Sequence, residues 1–457
     1  MTSYSTINPA NGELVKEFPV ISDREVEDAL SRAHVAYRQW RGVSLEQRAE
    51  LLCRVAELHR ERADELAEIL TLEMGKPITQ AKGEVALVAS IYEYYAEHGA
   101  KFLADEKLDI AGGGEAIVRT EPIGALVGIM PWNFPYYQVA RFAAPNIMLG
   151  NTILLKHARN CPQSALAIEE LIAEAGAPDG VYVNLFADSA QIAQLIGDSR
   201  VQGVSLTGSE RAGSAVGEVA GRHMKKYVLE LGGSDPFIVL DAENLDATVA
   251  GAVNNRLFNG GQACTASKRF IVLENVYDAF LEKFVQAMRE SQPEDPTNPA
   301  TRFGPLASQS VVDDLVDQVE DAVAKGATLL TGGQRSEGPG AYYEPAVLAD
   351  VTPEMRAYSE ELFGPVAVVH KVGSAEAAIA LANESPYGLA ASIYTADLAR
   401  ARSLAEDLES GMVWINGTSK SSPDLPFGGV KRSGVGRELS KFGINEFANK
   451  KLVRIPR

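Results

Sequence analysis

Val201-Gln202-Gly203-Val204-Ser205-Leu206-Thr207-Gly208-Ser209-Glu210-Arg211-Ala212-Gly213 decides the fold class. Val201 to Leu206 reads as a buried strand, and Glu210 to Ala220 as a helix, with a glycine and a serine between them. The same alternation continues on either side. Strands are expected at Ala125 to Met130, Thr152 to Lys156, Val181 to Phe186 and Tyr227 to Leu231. Helices are expected at Pro162 to Ala175 and Ser189 to Ile196. A continuous apolar run such as Ala125 to Met130 suits a strand covered on both faces. This is the pattern of a doubly wound α/β fold with a parallel sheet, which binds ligands at the carboxyl ends of its strands. The Leu206 to Gly213 turn offers free N–H groups at a helix start, which attract phosphate oxygens. It has no GxGxxG, so an ordinary strand-to-helix connection stays open.

Upstream, Ser22 to Trp40 reads as an amphipathic helix with a Ser22–Glu25 capping box. A second start at Ser44 and Gln47 leads into a helical pattern running to Met74, ended by Gly75 and Pro77. A third helix is expected over Gln80 to Ala96. This opening third reads as packing material without chemistry. Beyond Gly112-Gly113-Gly114, Glu115 to Glu121 reads as a short exposed strand. Downstream, a second α/β unit carries strands at Phe270 to Leu273, Pro365 to His370, Leu389 to Tyr394 and Met412 to Asn416. Its helices fall at Tyr277 to Arg289, Gln309 to Ala324, Ala375 to Asn383 and Asp397 to Leu408.

With 457 residues the chain exceeds one ordinary core, so two or three domains are expected. A net charge of -18 argues against nucleic acid or an anionic membrane as partner. Cys53, Cys161 and Cys264 are too few and scattered for a disulfide framework or a metal site, which suits a reducing cytoplasm. The polar start, Met1 to Lys16, has no apolar signal core, and runs such as Ile123 to Met130 are too short to span a bilayer.

Chemistry concentrates in a few stretches. Phe258-Asn259-Gly260-Gly261-Gln262-Ala263-Cys264-Thr265 sets a cysteine after paired glycines. Glu230-Leu231-Gly232-Gly233 ends an apolar run with a carboxylate. Together they suggest a nucleophile and a base, although a lone cysteine also serves as a small buried hydrophobe. Asn133, between prolines in Pro131-Trp132-Asn133-Phe134-Pro135, can donate to an oxyanion or simply form a turn. Lys156 ends a strand, facing either solvent or the ligand crevice. Glu361-Leu362-Phe363-Gly364-Pro365 and Leu425-Pro426-Phe427-Gly428-Gly429 complete the set.

These stretches, in this order and spacing, resemble the NAD(P)-dependent aldehyde dehydrogenase superfamily along essentially the whole chain, from Asn8-Pro9-Ala10-Asn11-Gly12 onward. The resemblance implies that Cys264 attacks an aldehyde, that Asn133 and the Cys264 N–H hold the oxyanion, and that Glu230 activates water for thioester hydrolysis. It implies cofactor contacts for Trp132, Lys156, Gly208, Ser209, Gly213, Leu231, Glu361 and Phe363. Many NAD-preferring relatives carry a glutamate three residues after the lysine. Here that residue is Arg159, whose guanidinium can pair with a 2′-phosphate, so use of NADP, in preference to NAD or equally with it, is expected. Arg141 and Ser421 resemble the succinate-semialdehyde dehydrogenase branch, where such residues bind the substrate's distal carboxylate. Tyr137 is expected to line that pocket. Phe258 stands where some members have a second arginine, which leaves room for other aldehydes. Glu230 disfavours a CoA-acylating enzyme, and the intact Cys264, Glu230 and Asn133 disfavour an inactive relative. No metal is implied. The implied architecture is a dinucleotide-binding domain at 1–104 and 122–231, a catalytic domain at 232–429, and an oligomerisation element at 105–121 and 430–457, in a homodimer or homotetramer.

Overall fold

The computed structural model describes residues 3–111, 113–241 and 243–456. Its first sheet is ordered Gly434–Val435, Lys226–Glu230, Val201–Thr207, Ala125–Met130, Thr152–His157, Tyr182–Asn184. The last five are parallel, and Gly434–Val435 joins antiparallel at the edge. In chain order the parallel strands run 3-2-1-4-5 across the sheet, so the order reverses between Ala125–Met130 and Val201–Thr207. Such a switch point opens a crevice beyond the strand ends.

Alternate residues feed opposite cores, as a strand covered on both faces requires. Ala125, Val127 and Leu154 pack with the Asp23–Trp40 helix. Leu126, Ile153 and Leu155 pack with the following helices. A second sheet of seven strands is ordered Thr328–Thr331, Ala346–Ala349, Val366–Val372, Ser267–Leu273, Asp235–Val239, Ala390–Tyr394, Met412–Ile415. All of its pairings are parallel except the first.

Several elements depart from the sequence reading. The helix expected to continue to Met74 is two, Leu45–Glu61 and Ala63–Met74, broken where Arg62 takes φ -105° and ψ 23°. The third helix is longer than expected, Ile78–Phe102. The N-terminal segment read as merely polar forms a hairpin, Tyr4–Ile7 against Leu14–Phe18. A helix at Pro135–Leu149 went unread because all its residues are buried, leaving no polar face to set a period. Proline opens it and Gly150, at φ 106°, closes it. The exposed strand, Glu115–Pro122, pairs with the C-terminal Ala448–Ile455.

Candidate active site

Strand register gathers the site. Ile129 faces Lys156 on one side and Leu206 on the other, and Thr207 faces Glu230. The chain beyond these strands therefore leaves the sheet at one edge. A cavity of about 540 Å³ opens there, lined by Trp132, Asn133, Gly208, Ser209, Glu230, Leu231, Cys264, Glu361 and Phe363. Trp132 meets Phe363 edge-on at 5.6 Å. The Gly208 N–H donates to the Glu230 carbonyl at 3.0 Å. Ser209 caps the Glu210–Arg222 helix by accepting from the Ala212 N–H.

Gly213 is not on this wall. A side chain there would fall 2.5 Å from a Leu231 methyl, so its smallness serves helix-to-strand packing. Lys156 and Arg159 also lie outside the cavity, facing the ring of Tyr4 at 5.7 Å and 5.9 Å. The Ser5 N–H holds the Arg159 carbonyl at 2.9 Å. Burial and the neighbouring Arg159 lower the Lys156 pKa to about 8.

Cys264 follows a backbone that turns left-handed at three successive residues, Asn259 at φ 52°, Gly260 at 66° and Gly261 at 74°. A methyl group on Gly261 would sit 2.4 Å from the Gly364 carbonyl oxygen. Buried Arg256 ties the turn down, donating to the Gly261 carbonyl at 2.7 Å and that of Ser267 at 3.0 Å. Lys268 donates to the Cys264 carbonyl at 2.9 Å and pairs with Glu361 at 3.2 Å. Glu361 also accepts the Gly233 N–H at 3.0 Å.

The sulfur-bearing residue separates the first cavity from a second, of about 710 Å³, which Phe134, Tyr137, Phe258, Ser421 and Phe427 help line. Phe134 and Phe258 stack at 5.9 Å. Burial pushes the Cys264 thiol up to about 12, against the opposing pull of Arg141 and Lys268. Burial likewise raises the Glu230 carboxyl well above the usual range, again opposed by Arg141. Neither Glu230 carboxylate oxygen has a hydrogen-bond partner within the protein. Asn133 Nδ2 donates to the Gln262 carbonyl at 3.1 Å, which aims its carboxamide at the cysteine loop. A group with one filled hydrogen still has a second to give.

A family model described as the aldehyde dehydrogenase family matches residues 1–453. The chain belongs to that family. It is 56% identical to a protein of Deinococcus radiodurans named succinate-semialdehyde dehydrogenase [NADP(+)], covering 99% of this chain and 94% of that one. It is 47% identical to a namesake from Mycobacterium ulcerans, over 98% and 99% of the two chains. Among solved structures, Gox0499 superposes with a TM-score of 0.98 at 46% identity over the full length of both chains. Succinic semialdehyde dehydrogenase from Streptococcus pyogenes, in complex with NADP+, gives 0.97 at 43%, covering 99% of this chain and all of that one.

In this aldehyde dehydrogenase the opening third is more than packing. Buried Lys76 pairs with buried Glu84 and donates to the Asn133 carbonyl at 3.0 Å. Its ammonium lies 3.9 Å from the Phe134 ring centroid. Glu84 accepts the N–H groups of Tyr136 and Tyr137, both at 3.0 Å, and so caps the Pro135–Leu149 helix from another part of the chain. Nothing local marks such a pair. The only available signal was a lysine set between Gly75 and Pro77 and a glutamate at the head of the apolar run Val85 to Ala89.

Arg141 also differs from its expected place. Rather than facing the second cavity, it sits one layer behind, fully buried and ion-paired with buried Glu438. It also donates to Thr207 Oγ1 at 3.1 Å and reaches the Tyr137 hydroxyl at 3.4 Å. Tyr137 in turn donates to Ser421 at 2.8 Å, and the Arg141 guanidinium lies 4.3 Å from the Phe427 ring centroid, so Arg141 meets the cavity through these two lining residues. Among the described residues, no cluster of His, Cys, Asp and Glu is placed to hold a metal, and no helix is long and apolar enough to cross a membrane.

Proposed function

We propose that this chain oxidises succinate semialdehyde to succinate with NADP+. The observation that carries the reading is Cys264 standing between two cavities, one apolar with a polar end at Ser421, the other at the carboxyl edge of a doubly wound sheet. The names of the full-length relatives support the same substrate and cofactor.

In this reading the aldehyde enters the Phe134–Phe258 cavity and the Cys264 sulfur attacks its carbon. The S–H proton passes to solvent as the C–S bond forms, and the carbonyl oxygen becomes an oxyanion. Asn133 Nδ2 and the Cys264 N–H stabilise that charge without reorganising. The cofactor suits the first cavity, where Gly208 leaves backbone room, Trp132 and Phe363 give apolar walls, and Glu361 is held by Gly233 and Lys268. Bound there, NADP+ supplies the hydride acceptor. Loss of hydride from the tetrahedral carbon leaves a thioester on Cys264; Glu230 takes a proton from the water that attacks it and returns that proton to the departing sulfur, releasing the acid and the thiol. Its unpaired carboxylate suits a base waiting for water.

Lys156 and Arg159 are assigned to the adenosine end, with Arg159 pairing the 2′-phosphate. Reversing that charge is the direct test. Arg159→Glu is expected to raise KM for NADP+ by at least about tenfold, from the lost charge-assisted contact, while KM for NAD+ holds or falls. Steady-state kinetics with both cofactors reads this. An unchanged cofactor ratio removes the role of Arg159, and inertness of the wild-type chain toward succinate semialdehyde with either cofactor removes the reading as a whole.

The division of labour proposed is cofactor binding by 1–104 and 122–231, catalysis by 232–429, and assembly by 105–121 with 430–457. Within the last, Ala448–Ile455 is an edge strand carrying exposed Leu452 and Ile455. An exposed apolar edge needs covering, and a second copy of the chain supplies the cover. Light scattering at micromolar concentration is expected to give a dimer or tetramer mass, and a monomer mass refutes the assignment.

A further inference from the structure

Only two of the described residues line both cavities. One is Cys264, and the other is Gln138. Gln138 sits in the first turn of the Pro135–Leu149 helix, where its N–H donates to the Phe134 carbonyl at 3.0 Å. It is 1% exposed, and its Oε1 has no hydrogen-bond partner within the protein. A buried carbonyl left without a donor costs stability, and an apolar side chain of similar size would avoid that cost. Three side chains that line the first cavity with Cys264 keep such orphaned oxygens, namely Asn133, Gln138 and Glu230. Asn133 is tied to the Gln262 carbonyl through Nδ2 and, in the mechanism above, serves the oxyanion. Gln138 and Glu230 are left as two acceptors on the wall that carries the nucleophile.

We propose that Gln138 is a further catalytic residue, whose Oε1 accepts one hydrogen of the hydrolytic water while Glu230 accepts the other. The proposal rests on the thioester mechanism given above. A water with both hydrogens held by acceptors presents a lone pair in the remaining direction, toward the thioester carbon on Cys264. The water oxygen bonds to that carbon, and Glu230 takes one of its protons. The carbon–sulfur bond then breaks, and the proton passes from Glu230 to the sulfur. The hydrogen held by Gln138 stays with the acid, so the carboxamide orients the water without being protonated. A neutral acceptor suits this place, because a second carboxylate beside Glu230 would disfavour its ionised form.

Gln138→Met and Gln138→Leu test this, since both fill the space and remove the carbonyl acceptor. Rapid mixing with succinate semialdehyde and NADP+ times the NADPH burst, and its amplitude counts the folded sites. Acid quench with intact-mass measurement times the decay of the acyl-enzyme. Both variants are expected to keep the wild-type burst rate while the acyl-enzyme decays about tenfold more slowly, the effect of one lost hydrogen bond. Hydroxylamine added after the burst attacks the thioester without a positioned water, so it should discharge variant and wild type equally fast. A burst slowed along with the decay, or a decay that is unchanged, overturns the role of Gln138 and leaves the mechanism standing. A wild type that forms no acyl-enzyme on Cys264 overturns the mechanism and this proposal together.

Discussion

Replacing Cys264 with alanine is expected to lower kcat for aldehyde oxidation by on the order of 10⁴ or more, because no other group can form the covalent intermediate. The geometry supports so steep a loss. The thiol stands where the two cavities meet, and the neighbouring backbone is fixed by Arg256, Lys268 and three left-handed residues. Removing one sulfur from this frame leaves those anchors in place, so stability should change by only about 1 kcal/mol. NADP+ binding, followed by fluorescence titration, should persist. The serine variant separates nucleophile from shape. It keeps the size and polarity but has a far weaker nucleophile, and it should be nearly as impaired. Retention of about a hundredth of the wild-type rate in either variant, measured as NADPH formation, is incompatible with Cys264 as the attacking group.

Glu230→Gln should cost about 10² to 10⁴ in steady-state turnover, the usual range for a general base. The loss should fall on the hydrolytic half-reaction. Rapid mixing of the variant with aldehyde and NADP+ is then expected to show a burst of NADPH equal to the active sites, followed by near arrest. Loss of the burst together with turnover removes Glu230 from that step. The wild-type pH profile follows from the same residue. Burial raises the Glu230 carboxyl, so it is protonated through the ordinary carboxylate range, and in the proposed role it serves as a base only above its raised pKa. The kcat of the wild type therefore rises with pH through that value, and the rise should be missing in the glutamine variant. The effect on stability has the opposite sign. The folded chain holds this proton more tightly than the unfolded one, so that stabilisation is full below the unfolded pKa and fades as pH rises through the folded one.

The parallel sheet was legible because its strands are continuous apolar runs ended by glycine and polar turns, as at Val201 to Ser209. The Asp23–Trp40 helix was legible through its capping box, which the structure contains in full. The Pro135–Leu149 helix was not, since burial on every side erased its period. Arg62 broke an apparently continuous helix without glycine or proline. It sits at the junction with contacts to Glu65, Glu170 and Glu174, the last two more than a hundred residues away.

The site divides in the same way. Cys264, Glu230, Asn133, Glu361 and Phe363 sit in short stretches whose composition and spacing announce chemistry, so the amino-acid order alone determined the family, the nucleophile and the base as expectations. What it could not convey was the charge state and partners of groups that meet across the fold. The pairing of Arg141 with Glu438 and of Lys76 with Glu84 came only from the tertiary structure, as did the place of Gly213 behind Leu231. An ion pair joining residues 141 and 438 depends on two segments being packed together and shut off from water. Local spacing carries no record of that, and burial determines whether a guanidinium serves a ligand or a neighbouring carboxylate.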